Sequence, residues 1–204
     1  MALKVLALNC TLKKSPEQSS TDRLLRELLA ALKEYDATGE IVRVADLNIK
    51  PGVKSDEGAG DDWPALRQRI LASNILISRL AHLARPAVEH RQARARANGC
   101  ISRERDDMRR MPSYGIVGFA AVVGNEDGAH HVHAEVCQAL CEVGFTIPSG
   151  GVTYWVGEAM GDKDYIDVKS PPKALVEWTP MLASNAAHLA KLLQQSNYPG
   201  HKKG

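Results

Sequence analysis

The stretch Val5-Leu6-Ala7-Leu8-Asn9-Cys10-Thr11-Leu12-Lys13-Lys14-Ser15, running on to Ser19-Ser20-Thr21, decides how this chain is read. An apolar strand enters, a polar loop follows, and a helix opens with hydroxyl residues. Backbone N–H groups at a helix start lack intrahelical partners, and the helix dipole is positive there. Ser19, Ser20 and Thr21 add hydroxyl donors, and Lys13 and Lys14 add charge. The stretch reads as a phosphate pocket for a nucleotide-like cofactor. The plain alternative is a strand-to-helix turn in which Ser or Thr only caps the helix.

The chain's 204 residues suffice for one α/β domain with a sizeable core. Apolar residues make up 44% and charged residues 25%, which marks a globular chain rather than a disordered one. No apolar run is long enough to span a bilayer. The N-terminus enters a strand directly, without a basic region, apolar stretch and cleavage site, so a cytoplasmic protein is the expectation. Four cysteines, Cys10, Cys100, Cys137 and Cys141, are too sparse for a disulfide scaffold. Cys137 and Cys141 share a helix face, and without a second pair at ligand spacing they read as free thiols.

Working outward, Leu3 to Leu8 suits a parallel strand buried on both faces. A helix over 21–34 follows, with Leu24, Leu25, Leu28, Leu29 and Leu32 in one stripe. A second strand is predicted over 40–45, then a surface loop over 46–62. Asp62 is the predicted cap of a helix opening Trp63-Pro64. A third strand spans 74–77, and the clearest strand of all is Ile116 to Val123. It runs into Gly124-Asn125-Glu126-Asp127-Gly128-Ala129-His130-His131 and a helix carrying Val132, Val136, Leu140 and Val143. A short fifth strand is predicted at 145–147, an aromatic loop over 151–167, and a last helix capped by Thr179 with Pro180 in its first turn. Met181, Leu182, Leu189, Leu192 and Leu193 would form its apolar face. Residues 1–196 read as a single domain and 197–204 as a frayed tail.

Strand and helix alternate five times, which implies a parallel sheet with helices on both faces. Ligands in such sheets sit at the carboxyl ends of the strands, where strand order reverses. The loops that leave those ends are 9–21, 78–88 and 124–131. A G-x-G-x-x-G after the first strand and a Walker lysine motif are both missing, which disfavours Rossmann and P-loop sites. His130, His131 and His133 are poorly placed for a shared metal, because adjacent helical residues point about 100° apart; no metal site is predicted.

The residues Leu6-Ala7-Leu8-Asn9-Cys10-Thr11-Leu12-Lys13 with Ser19-Ser20-Thr21, the loop Val123 to His131, and Gly144-Phe145-Thr146-Ile147-Pro148 through Thr153-Tyr154-Trp155-Val156-Gly157 together resemble the flavodoxin-like, NADPH-dependent FMN reductase family. The resemblance covers nearly the whole chain outside 79–110. It implies a flavodoxin-like, doubly wound five-stranded parallel sheet of order 2-1-3-4-5. It implies FMN as cofactor and NADPH or NADH as electron donor. The phosphate would lie on Asn9, Thr11, Lys13, Ser19, Ser20 and Thr21. The isoalloxazine ring would lie beside Gly124, Asn125, Glu126, Asp127, Gly128 and His131. No catalytic side chain is required, since the flavin carries the chemistry. Tyr154 and Trp155 would cover the flavin, join a dimer contact or pack in the core. A small-molecule acceptor (a flavin, a quinone or similar) and a homo-oligomer are further expectations, with no membrane partner. The alternatives are a one-electron flavodoxin-type carrier and a flavin-free protein binding anionic partners.

The segment 79–110 departs from the family. It holds nine of the chain's fourteen arginines, no lysine and four acids, so it carries +5 and the remainder −3. The family loop after the third strand has Pro, an aromatic residue and Gly; here it reads Ser78-Arg79-Leu80-Ala81-His82-Leu83-Ala84-Arg85-Pro86. Three readings account for it: a basic face for nucleic acid, a solvated helix, or translation out of frame. The third is favoured over the second, and nucleic acid comes last. Leu80 to Ser102 can be encoded so that the next frame gives SPIWLGQPSSIAKRALERMDAF, which restores the proline, the tryptophan, the glycine and an amphipathic helix. Arginine without lysine also fits a shifted GC-rich frame. On that reading one wall of the flavin pocket is lost and FMN affinity falls. The gene's nucleotides test this: its codons over 80–102 are expected to spell that string in the alternative frame, and codons that cannot do so overturn it.

Overall fold

A computed structural model describes residues 2–78, 104–124, 128–158 and 161–202. The second flavin-side loop, the arginine-rich stretch to Arg103, and Asn125, Glu126 and Asp127 lie outside the described residues. Five parallel strands form one sheet in the order β2-β1-β3-β4-β5. They are β1 (Leu3–Asn9), β2 (Ala37–Arg43), β3 (Ile75–Ser78), β4 (Val117–Gly124) and β5 (Val152–Val156). Helices α1 (Ser20–Lys33), α2 (Trp63–Leu71), α3 (Ala129–Glu142) and α4 (Lys173–Gln195) cover it. This is the flavodoxin-like doubly wound architecture.

β1 is buried on both faces because successive side chains alternate. Val5 and Ala7 meet Leu24, Leu25, Leu28 and Leu32 of α1 and the small residues Ala183, Ala186, Ala187 and Ala190 of α4. Leu6 and Leu8 join Trp63, Leu66 and Ile70 of α2 and Val132, Val136 and Leu140 of α3 on the other side. Leu24, Leu25, Leu28 and Leu32 are fully buried; at about 1.5–3 kcal/mol each, that burial anchors the helix more than propensity could.

The structure moves several predicted boundaries. β2 begins at Ala37, earlier than 40, because Ala37 and Gly39 fit against β1 in register with Leu3 and Val5. A Cβ on Gly39 would collide with the Val5 backbone. Asp62 makes no side-chain cap for α2. Its neighbour Asp61 accepts from Trp63 N at 3.1 Å, while Asp62 accepts from Asn48 N at 2.7 Å. The predicted fifth strand at 145–147 is only a bridge between Thr146 and Val117. Pro148 to Gly151 interrupts the pairing, and the β-branched and aromatic run Val152–Val156 inside the predicted loop resumes it beside β4.

The last helix starts seven residues before Pro180, which sits inside it. Proline there removes the bond that Val176 C=O would accept, and Val176 is an exposed residue. Thr179 is no cap: its hydroxyl meets that of Thr153 at 2.9 Å in the core. Met181 and Leu192 are exposed, while Leu182 and Leu193 are buried as expected and share the buried stripe with Ala183, Ala186, Ala187 and Ala190. The described part of the tail is exposed but makes contacts. The Tyr198 ring packs edge-on against Tyr114 at 5.6 Å, its hydroxyl bonds Thr146 Oγ1 at 3.1 Å, and His201 N donates to Met108 O at 2.8 Å. Residues 104–110 of the anomalous segment are likewise held, by Arg67 on Glu104 and Arg110 on Asp106.

The Thr153–Thr179 pair gives a stability test. Thr179→Val leaves a buried Thr153 hydroxyl without its partner and is expected to cost about 1–3 kcal/mol in chemical denaturation. Adding Thr153→Val removes both polar groups at nearly constant shape and is expected to recover most of that loss.

Candidate functional site

The loop after β1 is built around Asn9, which is fully buried. Its Oδ1 accepts from Thr11 N at 3.1 Å and sets the first turn of the loop. Its Nδ2 is buried and has no partner among the described residues. An amide donor left so is costly unless a ligand uses it. Thr11 Oγ1 accepts from Lys13 N at 3.4 Å. The far side of the loop hangs on β2 and the turn after it. Asp46 accepts from Ser15 N at 2.8 Å and from Ser15 Oγ at 2.6 Å, and these bonds hold its carboxyl below the usual range. Arg43 donates to Glu17 O at 2.7 Å. Lys13 is exposed.

The loop ends on the N-terminus of α1. Ser19 is the N-cap, and its Oγ accepts from Asp22 N at 3.3 Å. Ser20 Oγ accepts from Ile166 N at 3.2 Å. Both hydroxyls thus use a lone pair on a protein N–H while each keeps its own proton to donate. Thr21 is buried beside them. Amide, hydroxyl and helix-terminal N–H donors in one loop form a donor set suited to a phosphate dianion. The residues present fit the phosphate of FMN.

The wall beyond Ser20 comes from a turn after β5, which the sequence reading missed. Arg23 Nη1 donates to the carbonyls of Tyr165, Ile166 and Val168 at 2.7, 3.3 and 2.6 Å. Its Nε pairs with Glu27 at 3.0 Å, and its guanidinium lies 4.6 Å over the Tyr165 ring. The Tyr165 hydroxyl donates to Glu27. An Arg–Glu pair four apart on a helix is visible in sequence; a partner turn more than a hundred residues away is not.

At the end of β4, Gly124 O accepts from Gly157 N at 2.9 Å. Gly128 holds φ at +127°, a conformation that favours glycine, and opens α3 without a side-chain cap. A second helix N-terminus therefore stands at the carboxyl edge of the sheet. His131 is exposed and faces Glu135 at 3.4 Å. His130 meets the Tyr154 ring edge-on at 5.2 Å. Burial, with help from His130, pushes the His133 imidazole below its ordinary value. Trp155 is buried 5.3 Å from Tyr165, so it packs in the core.

The NADPH-dependent FMN reductase family matches residues 3–78. The 8-demethyl-8-aminoriboflavin-5'-phosphate synthase of Streptomyces davaonensis is 30% identical over 97% of this chain and 81% of its own length. A crystal structure of RosB with bound 8-demethyl-8-formylriboflavin-5'-phosphate superposes with TM-score 0.86 and 29% identity, over 97% of this chain and 82% of that one. A Mycobacterium bovis protein called divalent metal cation transporter MntH is 32% identical over 94% of this chain, but the match spans only 29% of that protein. No described helix is long and apolar enough to cross a membrane.

The Tyr165 phenol titrates above its ordinary range, through burial first and then its bond to the Glu27 carboxylate and that charge, against the pull of Arg23. A tyrosine pKa raised by folding stabilises the fold fully below the unfolded value of about 10 and loses that contribution as pH climbs through the raised value. The denaturation midpoint of the native chain is expected to fall between about pH 9 and about pH 11 more steeply than that of Tyr165→Phe.

Proposed function

Because the chain belongs to the flavodoxin-like, NADPH-dependent FMN reductase family, we propose that it binds FMN at the ends of β1 and β4 and passes reducing equivalents from NAD(P)H to a small-molecule acceptor, a flavin, a quinone or similar. The observation that carries the binding site is the buried Asn9 Nδ2, without a partner among the described residues, at the root of a hydroxyl-lined loop. FMN with NAD(P)H is the cofactor pair of the family, and bound FMN supplies the acceptance and donation of hydride.

The chain's own residues bind and orient. Asn9, Thr11, Ser19, Ser20 and Thr21 hold the phosphate from one side of α1's first turn. Gly124 and Gly128 keep side chains away from the carboxyl end of β4, where a planar ring needs close backbone approach. The N-termini of α1 and α3 both present positive dipole ends, to the phosphate and to the electron-rich edge of the reduced ring.

A second reading is supported by the S. davaonensis relative, whose product is a modified flavin phosphate. The flavin phosphate held here would then itself be the molecule transformed. Both readings use the same phosphate cradle and differ in the fate of the flavin.

Purified protein titrated with FMN and with riboflavin tests the site, read by the visible flavin spectrum. FMN is expected to bind tighter. Asn9→Asp keeps the acceptor for Thr11 N but replaces the donor with a negative charge, and is expected to weaken FMN by about tenfold or more with less effect on riboflavin. NADPH oxidation that needs FMN and leaves the flavin's mass unchanged supports the reductase; a changed mass supports the second reading. A protein that takes up no FMN overturns both.

A further inference from the structure

We infer that Arg23 is a positioning residue of the phosphate cradle: it gathers the 165–168 turn so that Ile166 N–H occupies Ser20 Oγ and the Ser20 proton is directed to the anion. The inference rests on the FMN reading and adds a residue whose guanidinium is engaged by protein groups.

Arg23 stands in the first turn of α1, three residues past Ser20, where a cation opposes the helix dipole. Its role there is therefore not explained by helix electrostatics. The guanidinium is spent on the turn. One nitrogen serves the carbonyls of Tyr165, Ile166 and Val168, which end a short 3-10 helix over Tyr165–Asp167. Nε is held by Glu27, and Tyr165 donates to the same carboxylate, so the side chain is fixed from both ends. Its charge is offset by Glu27 at 3.0 Å.

The turn held in this way delivers one group to the phosphate loop, the Ile166 N–H on Ser20 Oγ at 3.2 Å. A serine hydroxyl has one proton and two lone pairs. With an N–H on the oxygen, the hydroxyl cannot rotate its proton toward Ile166 and is left as a donor. A preoriented donor loses less freedom when the anion arrives. Lysine in place of Arg23 keeps the charge but has no second nitrogen to hold Glu27 while the first serves the carbonyls.

The test is the ratio of riboflavin to FMN dissociation constants, which isolates the phosphate contribution. In Arg23→Lys this ratio is expected to fall by about fivefold or more, with riboflavin binding and the circular dichroism spectrum unchanged. Ser20→Ala, which leaves Arg23 and its carbonyls in place, is expected to lower the ratio similarly. In the double variant the losses are expected not to add, because Arg23 acts through Ser20. A native ratio in Arg23→Lys means charge alone suffices and overturns the inference. So does a native ratio in Ser20→Ala, which stands as the test even if Arg23→Lys does not fold, and so do additive losses. A native chain that takes up no FMN overturns the FMN reading itself, and the inference with it.

Discussion

The candidate site hangs from β1. This strand is paired on both edges, by β2 along its whole length and by β3 over Val5–Ala7, and buried on both faces. Such a strand cannot slide or tilt without breaking two ladders and two cores. Its last residue, Asn9, is therefore a fixed point at the carboxyl edge of the sheet. From there Oδ1 shapes the turn at Thr11. α1 returns over the same strand through its leucine stripe, so the start of α1 is set back to within one loop of Asn9. Strand burial and helix burial are two consequences of one apolar sequence, and together they fix both ends of the phosphate loop.

What lies between those ends is polar and exposed, and it is held by a different kind of force. Asp46, Arg43, Asp22 and Ile166 each make a hydrogen bond to the loop or its end. Hydrogen bonds of this kind contribute about 0.5–1.5 kcal/mol each, so their value lies in geometry more than in stability. They leave backbone and hydroxyl donors convergent without a glycine-rich turn. That explains how a cradle forms on a sequence lacking both G-x-G-x-x-G and the Walker lysine.

The sheet and the loop that joins β1 to α1 are legible because their signals are local. Buried parallel strands are continuous apolar runs, α1 shows its stripe, and hydroxyls cluster where a helix begins. The failures share a cause. Phe145 to Ile147 is as apolar as a strand, but Pro148 ends its pairing, and Val152–Val156, which follows that break, reads as part of an aromatic loop until its pairing with β4 is seen. Thr179-Pro180 is a sound local signature of a helix start. Thr153 supplied a buried partner that no local pattern shows, and the exposed Val176 tolerates what the proline removes. Arg23 was hidden for the same reason, since all three of its carbonyl acceptors lie beyond β5.

The arginine-rich segment bears on the ring side of the expected site. Every contact described for the phosphate loop comes from β1, β2, the turn after β2, α1 or the turn at Tyr165–Val168. The ring, in contrast, is expected between the loop after β4 and the loop after β3, and the latter is the stretch that departs from the family. If that stretch is out of frame, binding should lose ring contacts while keeping phosphate recognition. Discrimination between FMN and riboflavin would survive as a ratio even where both bind more weakly. The described contacts of the loop after β1 thus come from elements that the family resemblance covers.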